Sequence, residues 1–440
     1  MSLSPLDSPL WSGLFGDPDL SAMLGDEALL AAMVRVEVAL AQACAQVGIV
    51  PAEAAREMAT ALADYRPDPA ALAEGAARDG VAVPALLADL RARLSSEASQ
   101  ALHWGATSQD IVDSATALVV SEALALFDRR LVTLGRRLGA LAEAEADTVM
   151  AARTRSQIGL PTTFGALLAV WGQPVLDARD RLAMLKPAVA RLSLHGAVGS
   201  DAALGDRAAA VRETMGATLG LTVEDLASHA RRERIVDLGA QSTALCGSLG
   251  KIGLDVVTLT QSGIAEVKIA GGGSSTMPHK SNPVAAEALV SLARHCAHLQ
   301  GSLFESALHG QFRDGAAWAL EWMSLRPILV ATGAALRLAQ QMLDGLEADA
   351  GQMRANLDAA GFGPYAERAI FTLAETIPRD AAKTAVRDAL ATPDPHRALL
   401  AAHPELESRA LTDPLAAAGQ APKLARAFAQ RCKLECGDKT

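Results

Sequence analysis

The segment from residue 271 to residue 283 concentrates several chemically reactive side chains. It reads Gly-Gly-Gly-Ser-Ser-Thr-Met-Pro-His-Lys-Ser-Asn-Pro and places hydroxyl, imidazole, ammonium and carboxamide groups within nine residues. Three successive glycines lose much backbone entropy on ordering, and Pro278 and Pro283 each lack a backbone donor. The segment is therefore predicted to be a loop. Polar loops between rigid elements often hold catalytic residues.

Composition alone leaves two other interpretations of this loop open. Glycine- and serine-rich runs commonly act as flexible linkers between helices. A phosphate-binding loop is the second alternative, but the order G-x-x-x-x-G-K-[ST] is absent and Pro278 interrupts the run of amides. A longer sequence pattern is needed to choose between a linker and a catalytic loop.

That longer pattern is present. Residues 273–283 resemble the signature G-S-S-x-M-P-x-K-x-N of the fumarase/aspartase superfamily, which includes fumarase, aspartase, argininosuccinate lyase, adenylosuccinate lyase and the bacterial 3-carboxy-cis,cis-muconate cycloisomerases. The match is continuous and long, so we interpret the loop as catalytic. The resemblance implies that the catalytic residues are Ser274, Lys280 and Asn282. It also implies that Ser275 and Met277 contact the substrate.

A second block extends from His103 to Asp110. Thr107, Ser108 and Asp110 are good capping residues for a helix, which is the purely structural interpretation. Hydroxyls and exposed amides at a helix N-terminus also form an anion site. The block resembles the G-x-T-S-x-D element of adenylosuccinate lyases and carboxymuconate cycloisomerases. This resemblance implies that Thr107, Ser108 and Gln109 bind a substrate carboxylate.

The third block, residues 153–165, resembles the run R-T-H-x-Q-x-A-x-P-T-T-F-G of the superfamily's lyases, but Arg155 occupies the position of their catalytic histidine. An arginine keeps its proton near neutrality and cannot act as a general acid, although it can hold a carboxylate through two parallel bonds. This departure argues against the usual lyase chemistry. Residues 81–84 likewise replace a histidine-rich element of adenylosuccinate lyases. Both departures match the cycloisomerase branch, and we expect Arg155 and Gln157 to contact substrate.

Three further segments carry weaker signals. Residues 311–322 resemble the E-R-x-x-G-A-W-x-x-E-W stretch of the same branch, which makes Arg313 a candidate substrate or intersubunit contact; a helix with aromatic core residues is the structural alternative. The turn that begins at His195 resembles the family's G-A-x-G-T turn, and His195 is a further candidate. His295 and His298 could share one helical face, but the sequence supplies no third ligand, so no metal is expected.

The overall composition limits the classes of partner. The chain has 440 residues, is 50% hydrophobic and carries a formal net charge of −10 without a basic run, which argues against nucleic acid or an anionic membrane surface as partner. Its five widely spaced cysteines imply no disulfide framework and favour the cytoplasm. No cationic region precedes the first apolar residues, so no signal peptide is expected. The sequence contains no run of about twenty uncharged apolar residues, so no membrane-spanning helix is expected.

Apolar periodicity predicts the elements that position these blocks. Two proline-free stretches, 85–160 and 188–277, contain apolar residues at alternating steps of three and four, as in a long bundle helix. The first seam is Val120, Leu124, Phe127, Leu131, Leu134, Leu138 and Leu141; the second is Leu245, Leu249, Ile252, Val256 and Leu259. Shorter helices are predicted over 26–47, with Asp26 as N-cap, and over 52–64. Period-two alternation is nearly absent, so few strands are expected.

The predicted fold is therefore all-α. We divide it into an N-terminal helical domain (1–105), a central long-helix bundle that carries the signature loop (106–358) and a small C-terminal helical domain (359–440). The last eight residues are interpreted as a frayed polar tail. Long amphipathic helices need partner helices, so a homo-oligomer is expected. The resemblance implies a homotetramer with a central multi-helix core and active sites shared between subunits.

The resemblance also implies the reaction. A carboxylate of 3-carboxy-cis,cis-muconate would add to a double bond of the same molecule and close the γ-lactone 4-carboxymuconolactone, without a cofactor. Two other reactions stay open: lactonisation of another substituted muconate such as a sulfonate, and β-elimination that releases fumarate. A crystallin-like structural role is the non-enzymatic alternative. The presence of Ser274, Lys280 and Asn282 argues against it.

Overall fold

The structure is a computed structural model that describes residues 4–273 and 276–437, and most of these residues are helical. The helices are α1 Ser12–Phe15, α2 Pro18–Leu24, α3 Asp26–Gln46, α4 Ala52–Ala61, α5 Pro69–Asp79, α6 Val83–Arg91, α7 Ser96–Ala101, α8 Ser108–Ala144, α9 Phe164–Val189, α10 Ala208–Leu219, α11 Glu233–Leu259, α12 Val284–Glu305, α13 Gly315–Asp344, α14 Ala350–Ala359, α15 Ala366–Leu373, α16 Arg379–Leu390, α17 Pro395–Ala402, α18 Pro414–Ala417 and α19 Ala421–Cys436. The strands are β1 Val149–Thr154, β2 Gln157–Thr163, β3 Val267–Lys268, β4 Gly272–Gly273, β5 Ser281–Asn282 and β6 Glu347–Ala348.

The chain divides into two compact units. Unit 1 comprises Met1–Arg130, Ala178–Gly247 and Ser291–Arg337. Unit 2 comprises Leu131–Asp177, Ser248–Val290 and Leu338–Thr440. The short strands form antiparallel pairs, β1 with β2, β3 with β6 and β4 with β5. Helices therefore supply nearly all of the core.

The long helices bury the predicted apolar seams. The 37 residues of α8 span about 55 Å, because an α-helix rises ~1.5 Å per residue. All predicted seam positions of α8 are at most 9% exposed, and those of α11 are at most 5% exposed. The three-and-four spacing read from the sequence therefore identified the buried face of both helices.

Helix α3 agrees with the prediction over 26–47 to within one residue, but its N-cap does not. Gly25 occupies the cap position and Asp26 is the first helical residue, where it makes no capping hydrogen bond. The Asp26 carboxylate instead pairs with Arg326 Nη1 at 3.3 Å. Helix α4 ends at Ala61, three residues before the predicted end, and Leu62 follows it as C-cap.

Within the described residues, one helical segment, Pro18–Gln46, is long and apolar enough to cross a membrane by length and composition. Its mean hydropathy is 1.6, and 67% of the apolar window is buried inside the structure. Burial of this kind is what a core helix of a globular unit shows.

The hairpin of β1 and β2 was not expected from the sequence. Thr154 pairs with Gln157, so Arg155 and Ser156 form a two-residue turn. Their φ angles are 51° and 66°, and two consecutive positive φ angles are the geometry of the type I′ turns that close such hairpins. Asn-Gly and Asp-Gly are the usual sequences for this turn, so Arg-Ser gave no hairpin signal.

The predicted polar tail is wrong up to Gly437, because α19 continues to Cys436 and packs within unit 2. Cys432 and Cys436 are 2% and 1% exposed. A Cβ atom on Gly139 would lie 2.5 Å from Cys432 Cβ, and one on Gly135 would lie 2.9 Å from Cys436 Sγ. The two glycines of α8 therefore allow α19 to approach closely. Residues 438–440 lie outside the described residues.

Candidate active site

The N-terminus of α8 in unit 1 is organised by the carboxylate of Asp110, which is completely buried. Its Oδ2 accepts hydrogen bonds from the backbone amides of Thr107, at 3.0 Å, and Gly196, at 2.9 Å. Its Oδ1 accepts the amide of His195 at 3.0 Å. The bond to Thr107 is half of a capping box, in which the side chain of the third helical residue accepts a hydrogen bond from the backbone amide of the N-cap residue. Asp110 thus joins the helix start to the turn at residue 195.

Two side chains complete the shell of Asp110. Ser193 Oγ donates to Oδ1 at 3.2 Å, and His229 Nε2 lies 2.7 Å from the same oxygen. Burial would raise the pKa of Asp110, but the hydrogen bond and charge of His229, together with the amides of Thr107 and His195, hold that pKa below its ordinary value. His229 lies 119 residues from Asp110 in the chain and belongs to none of the matched sequence blocks, so the sequence gave no signal for it.

Gln109 faces the same interior. Its side chain is 2% exposed, and Nε2 donates to the backbone oxygen of His229 at 2.9 Å and to Asp113 Oδ2 at 3.4 Å. Its two predicted neighbours, Thr107 and Ser108, are half-buried. The three residues predicted to bind a carboxylate therefore lie together at the start of α8. Both hydrogens of the Gln109 carboxamide are bonded within the protein.

A buried ion cluster lies behind Gln109. Arg232 binds Asp113 through Nη1 at 2.7 Å and Nη2 at 3.2 Å, and binds Glu321 through Nε at 2.7 Å and Nη2 at 2.5 Å. Burial opposes the charge of Arg232, but the two carboxylates raise the pKa of the guanidinium above its ordinary value. Burial also raises the pKa of Glu321. Trp318 Nε1 donates to Asp113 Oδ1 at 3.3 Å. The cluster connects the starts of α8, α11 and α13.

Arg313 connects the segment 311–322 to the second block. Its Nη1 donates to Thr107 Oγ1 at 2.5 Å, while the residue as a whole is exposed. Trp318 and Trp322 stack edge to face with ring centroids 4.5 Å apart, so this block also has the aromatic packing of the structural alternative. Unit 1 therefore brings Arg313 to the predicted carboxylate site.

His195 is 1% exposed, and its Nδ1 lies 3.8 Å from Asp201 Oδ1 without a hydrogen bond. Burial and the nearby charge of Arg212 lower the pKa of His195, so the neutral ring is favoured near neutrality. The glycine that follows it lies against the second block, because a Cβ on Gly196 would be 3.1 Å from Gly105 O. His195 is thus a buried packing residue next to the second block.

The signature loop lies in unit 2 and is a small hairpin. Gly272 pairs with Asn282 and Gly273 pairs with Ser281, so two of the glycines expected to be irregular form a short strand. A Cβ on Gly271 would lie 1.8 Å from Ser281 Oγ, and one on Gly272 would lie 2.7 Å from Val284 Cγ2. The absence of side chains therefore lets the two arms of the loop approach closely.

The described residues of this loop from Thr276 to Ser281 are exposed to solvent. Lys280 and Met277 are exposed and Asn282 is half-buried. The amide of Lys280 donates to Met277 O at 3.0 Å, which closes a turn at Pro278. Ser274 and Ser275 lie outside the described residues.

The third block is divided between two roles in unit 2. Arg153 binds Glu266 through two bonds of 2.7 and 2.8 Å, and Asn356 Nδ2 donates to the same carboxylate at 2.8 Å, so Arg153 stabilises the fold. Arg155 and Gln157 lie at the exposed tip of the β1–β2 hairpin. Among the described residues, no ion pair involves Arg155.

Within residues 4–273 and 276–437, no group of three or more His, Cys, Asp or Glu side chains is arranged to hold a metal ion. The Nδ1 atom of His298 lies 2.8 Å from the backbone oxygen of Arg294, one turn earlier in α12.

Comparison with known proteins places this arrangement in a family. A family model described as lyase matches residues 18–298. The chain belongs to this lyase family, within the fumarase/aspartase superfamily. A 3-carboxy-cis,cis-muconate cycloisomerase of Bradyrhizobium diazoefficiens is 38% identical over 84% of this chain and 84% of its own length. A nitrosuccinate lyase of Streptomyces davaonensis is 36% identical over 95% of this chain and 94% of its own length.

The lyase family also accounts for the fold. The crystal structure of the 3-carboxy-cis,cis-muconate lactonizing enzyme from Pseudomonas putida is 33% identical, covers 97% of this chain and 100% of its own, and superposes with a TM-score of 0.87. The predicted all-α fold of the fumarase type is therefore confirmed.

Proposed function

We propose that the protein is a cycloisomerase that converts 3-carboxy-cis,cis-muconate to 4-carboxymuconolactone. The observation that carries the proposal is the position of Arg155, which occupies the place of a lyase histidine at the exposed end of a hairpin turn. A guanidinium there cannot supply the proton of the usual lyase chemistry, but it suits a substrate with three carboxylates. The similarity to cycloisomerases over most of the chain supports the same reaction.

Addition of a carboxylate oxygen to the double bond places extra negative charge on the neighbouring carboxylate, which becomes enolate-like. Donors and cations already aimed at that carboxylate lower the barrier most. We assign this role to Lys280 and Asn282, with Ser275 and Met277 lining the loop. Ser274 then donates a proton to the carbon next to the carboxylate, which completes the product. The serine alkoxide regains a proton from solvent after the product leaves. The Gly271–Gly273 run allows the loop to close over the substrate and exclude water.

The other carboxylates of the trianion need separate partners. We assign them to two places. The first is the α8 site, where the hydroxyls of Thr107 and Ser108, the backbone amide of Gln109 and the guanidinium of Arg313 bind a carboxylate. The second is Arg155 with Gln157. The chain as a whole is acidic, so an anionic substrate must be attracted by local cations. Arg313 is suited to this task because Thr107 Oγ1 already orients its guanidinium.

We further propose a cytoplasmic homotetramer whose subunits share active sites and which needs no cofactor. In it, each subunit has three domains, residues 1–105, 106–358 and 359–440, and the central one supplies the bundle. Large apolar side chains left exposed on the long helices support association. They include Val170, 59% exposed, Leu254, 53%, Phe304, 55%, and Met323, 71%.

A spectrophotometric assay tests the reaction. Purified protein is mixed with 3-carboxy-cis,cis-muconate, and the loss of muconate ultraviolet absorbance is followed for the parent and for Ser274→Ala. Rapid loss in the parent and a fall of about 10³-fold or more in the variant are expected if the serine transfers the proton. Equal rates would eliminate Ser274 as the donor. No loss in the parent would overturn the proposed substrate, and the sulfonate analogue would then be assayed in the same way.

One specific observation favours a second function. The similarity to the nitrosuccinate lyase extends over 95% of this chain, further than the 84% shared with the cycloisomerase of Bradyrhizobium diazoefficiens. The alternative is β-elimination from a substituted succinate with release of fumarate. Incubation with nitrosuccinate, followed by measurement of fumarate, separates the two. If the protein turns over neither substrate, the crystallin-like structural role is the alternative that stays.

A further inference from the structure

The Asp110 carboxylate connects three segments that are far apart in the chain. It receives the amide of Thr107 from the start of α8, the amides of His195 and Gly196 from the following turn, and the imidazole of His229 from the segment before α11. The first of these bonds fixes the residue whose hydroxyl binds Arg313. The geometry of the carboxylate site thus depends on the orientation of one buried side chain.

His229 is the imidazole that sets this orientation, and it is 2% exposed. An ionised carboxylate can only accept hydrogen bonds, so the hydrogen of this contact belongs to His229 Nε2. The same residue holds a second part of the site, because its backbone oxygen accepts Gln109 Nε2 at 2.9 Å. One residue therefore restrains Thr107 through Asp110 and Gln109 directly.

We infer that His229 is a positioning residue for substrate-carboxylate binding: its Nε2–H fixes Asp110, and through Asp110 it holds Thr107 and the turn at His195 in the binding geometry. This inference deepens the proposed function and rests on the assignment of Thr107, Ser108 and Gln109 to a substrate carboxylate. The sequence blocks gave His229 no role, and its side chain is directed at Asp110.

The inference predicts a distinctive kinetic pattern. The substrate carboxylate proposed to bind at the start of α8 is charged before, during and after lactone closure. Its contacts with the protein therefore stabilise the bound substrate and the transition state equally. Loss of such uniform binding raises KM and leaves kcat nearly unchanged. We expect about a tenfold rise in KM, with kcat within about threefold of the parent, when the Nε2–H donor is removed.

Two amide variants test this directly. In His229→Gln the side-chain nitrogen reaches about as far as Nε2 and can still donate to Asp110, whereas in His229→Asn it reaches only about as far as Nδ1. The Gln variant should keep the parental KM, and the Asn variant should show the rise. His403→Gln, a change at a C-terminal histidine that pairs with Glu405, is the control for histidine replacement itself.

Several results would overturn the inference. Parental KM in His229→Asn would show that the donor is not needed. Equal losses of kcat in both variants, with KM unchanged, would indicate a general structural role. If the Asn variant fails to fold, the Gln variant still decides the matter: a folded Gln variant with a raised KM contradicts the inference.

A binding measurement separates this inference from the proposed reaction. Calorimetric titration with propane-1,2,3-tricarboxylate, an unreactive probe, measures carboxylate binding without turnover. Muconate turnover by the parent with no difference between the variants overturns the role of His229 alone. Absent turnover together with weaker probe binding in the Asn variant overturns the substrate and supports His229. Absence of both turnover and probe binding in the parent overturns both.

Discussion

The α8 site of unit 1 and the signature loop of unit 2 are built by opposite means. At the α8 site, Asp110, Asp113 and Arg232 are buried and multiply hydrogen-bonded. In the loop, Lys280 and Met277 are exposed, and β4 and β5 join through two residue pairs. A rigid, buried network of this kind suits the task proposed for the site, which is to keep the groups that bind a substrate carboxylate in one geometry. A glycine hairpin can instead move as the reaction proceeds.

We therefore expect changes at the α8 site to affect mainly the stability of the protein, and changes in the loop to affect mainly its turnover. The charged residues of the α8 site, Asp110, Asp113 and Arg232, are buried, so their replacement should destabilise the fold. Lys280 of the loop is exposed, so its replacement should alter the chemistry and leave the fold intact. The following changes test that separation, in order of expected effect.

The largest loss of stability is expected for Arg232→Met. Removal of the guanidinium leaves Asp113 and Glu321 buried without their cation, which typically costs about 3–5 kcal/mol. Urea unfolding measures the change. Arg231→Met is the matched control, since that side chain is 45% exposed and pairs with Glu233 at 3.3 Å, so about 0.5 kcal/mol or less is expected. Similar costs for both changes would contradict the importance of the buried cluster.

The loop counterpart is Lys280→Gln, which should lower kcat about 10²–10³-fold by removing a cation from the enolate-like carboxylate. Because Lys280 is exposed, the midpoint of thermal unfolding should not move. Lys268→Gln is the control, since this exposed lysine pairs with Asp349 and has no assigned catalytic role. A large drop in the unfolding temperature of Lys280→Gln with kcat preserved would show that Lys280 serves stability and not the reaction.

The smallest effect is a pH dependence of stability from Asp110. Its pKa is lower in the folded chain than its ordinary value of 3.8, so it stabilises the fold above that value and the contribution disappears as pH falls through the folded pKa. The difference in unfolding temperature between the parent and Asp110→Asn should therefore shrink from about pH 6 to about pH 3. Thr258→Val, a change at an exposed residue that does not titrate, is the control and should show no such trend. A constant difference for Asp110→Asn would disprove the linkage.

The sequence predicted those features that depend on local spacing. The apolar seam of α8, from Val120 to Leu141, was visible because residues three and four apart share a helix face. The partners of Asp110 were not visible, because His229 follows it by 119 residues and only the folded chain joins them. Nor was the burial of Cys436: the end of the chain reads as polar, and the glycine that accommodates the thiol, Gly135, lies in another helix.

All five cysteines are buried, two of them against the glycines of α8. Burial raises the pKa of Cys44 to about 11, against the weaker opposing charge of Arg207, and that of Cys432 to about 12. Since the thiolate is the reactive form, Cys44 and Cys432 should resist alkylating reagents in the folded chain. Burial shields the other three thiols from such reagents. A single cysteine engineered at the surface would then be the preferred target of a maleimide dye or a spin label, and the native protein would serve as its own unlabelled background for distance measurements.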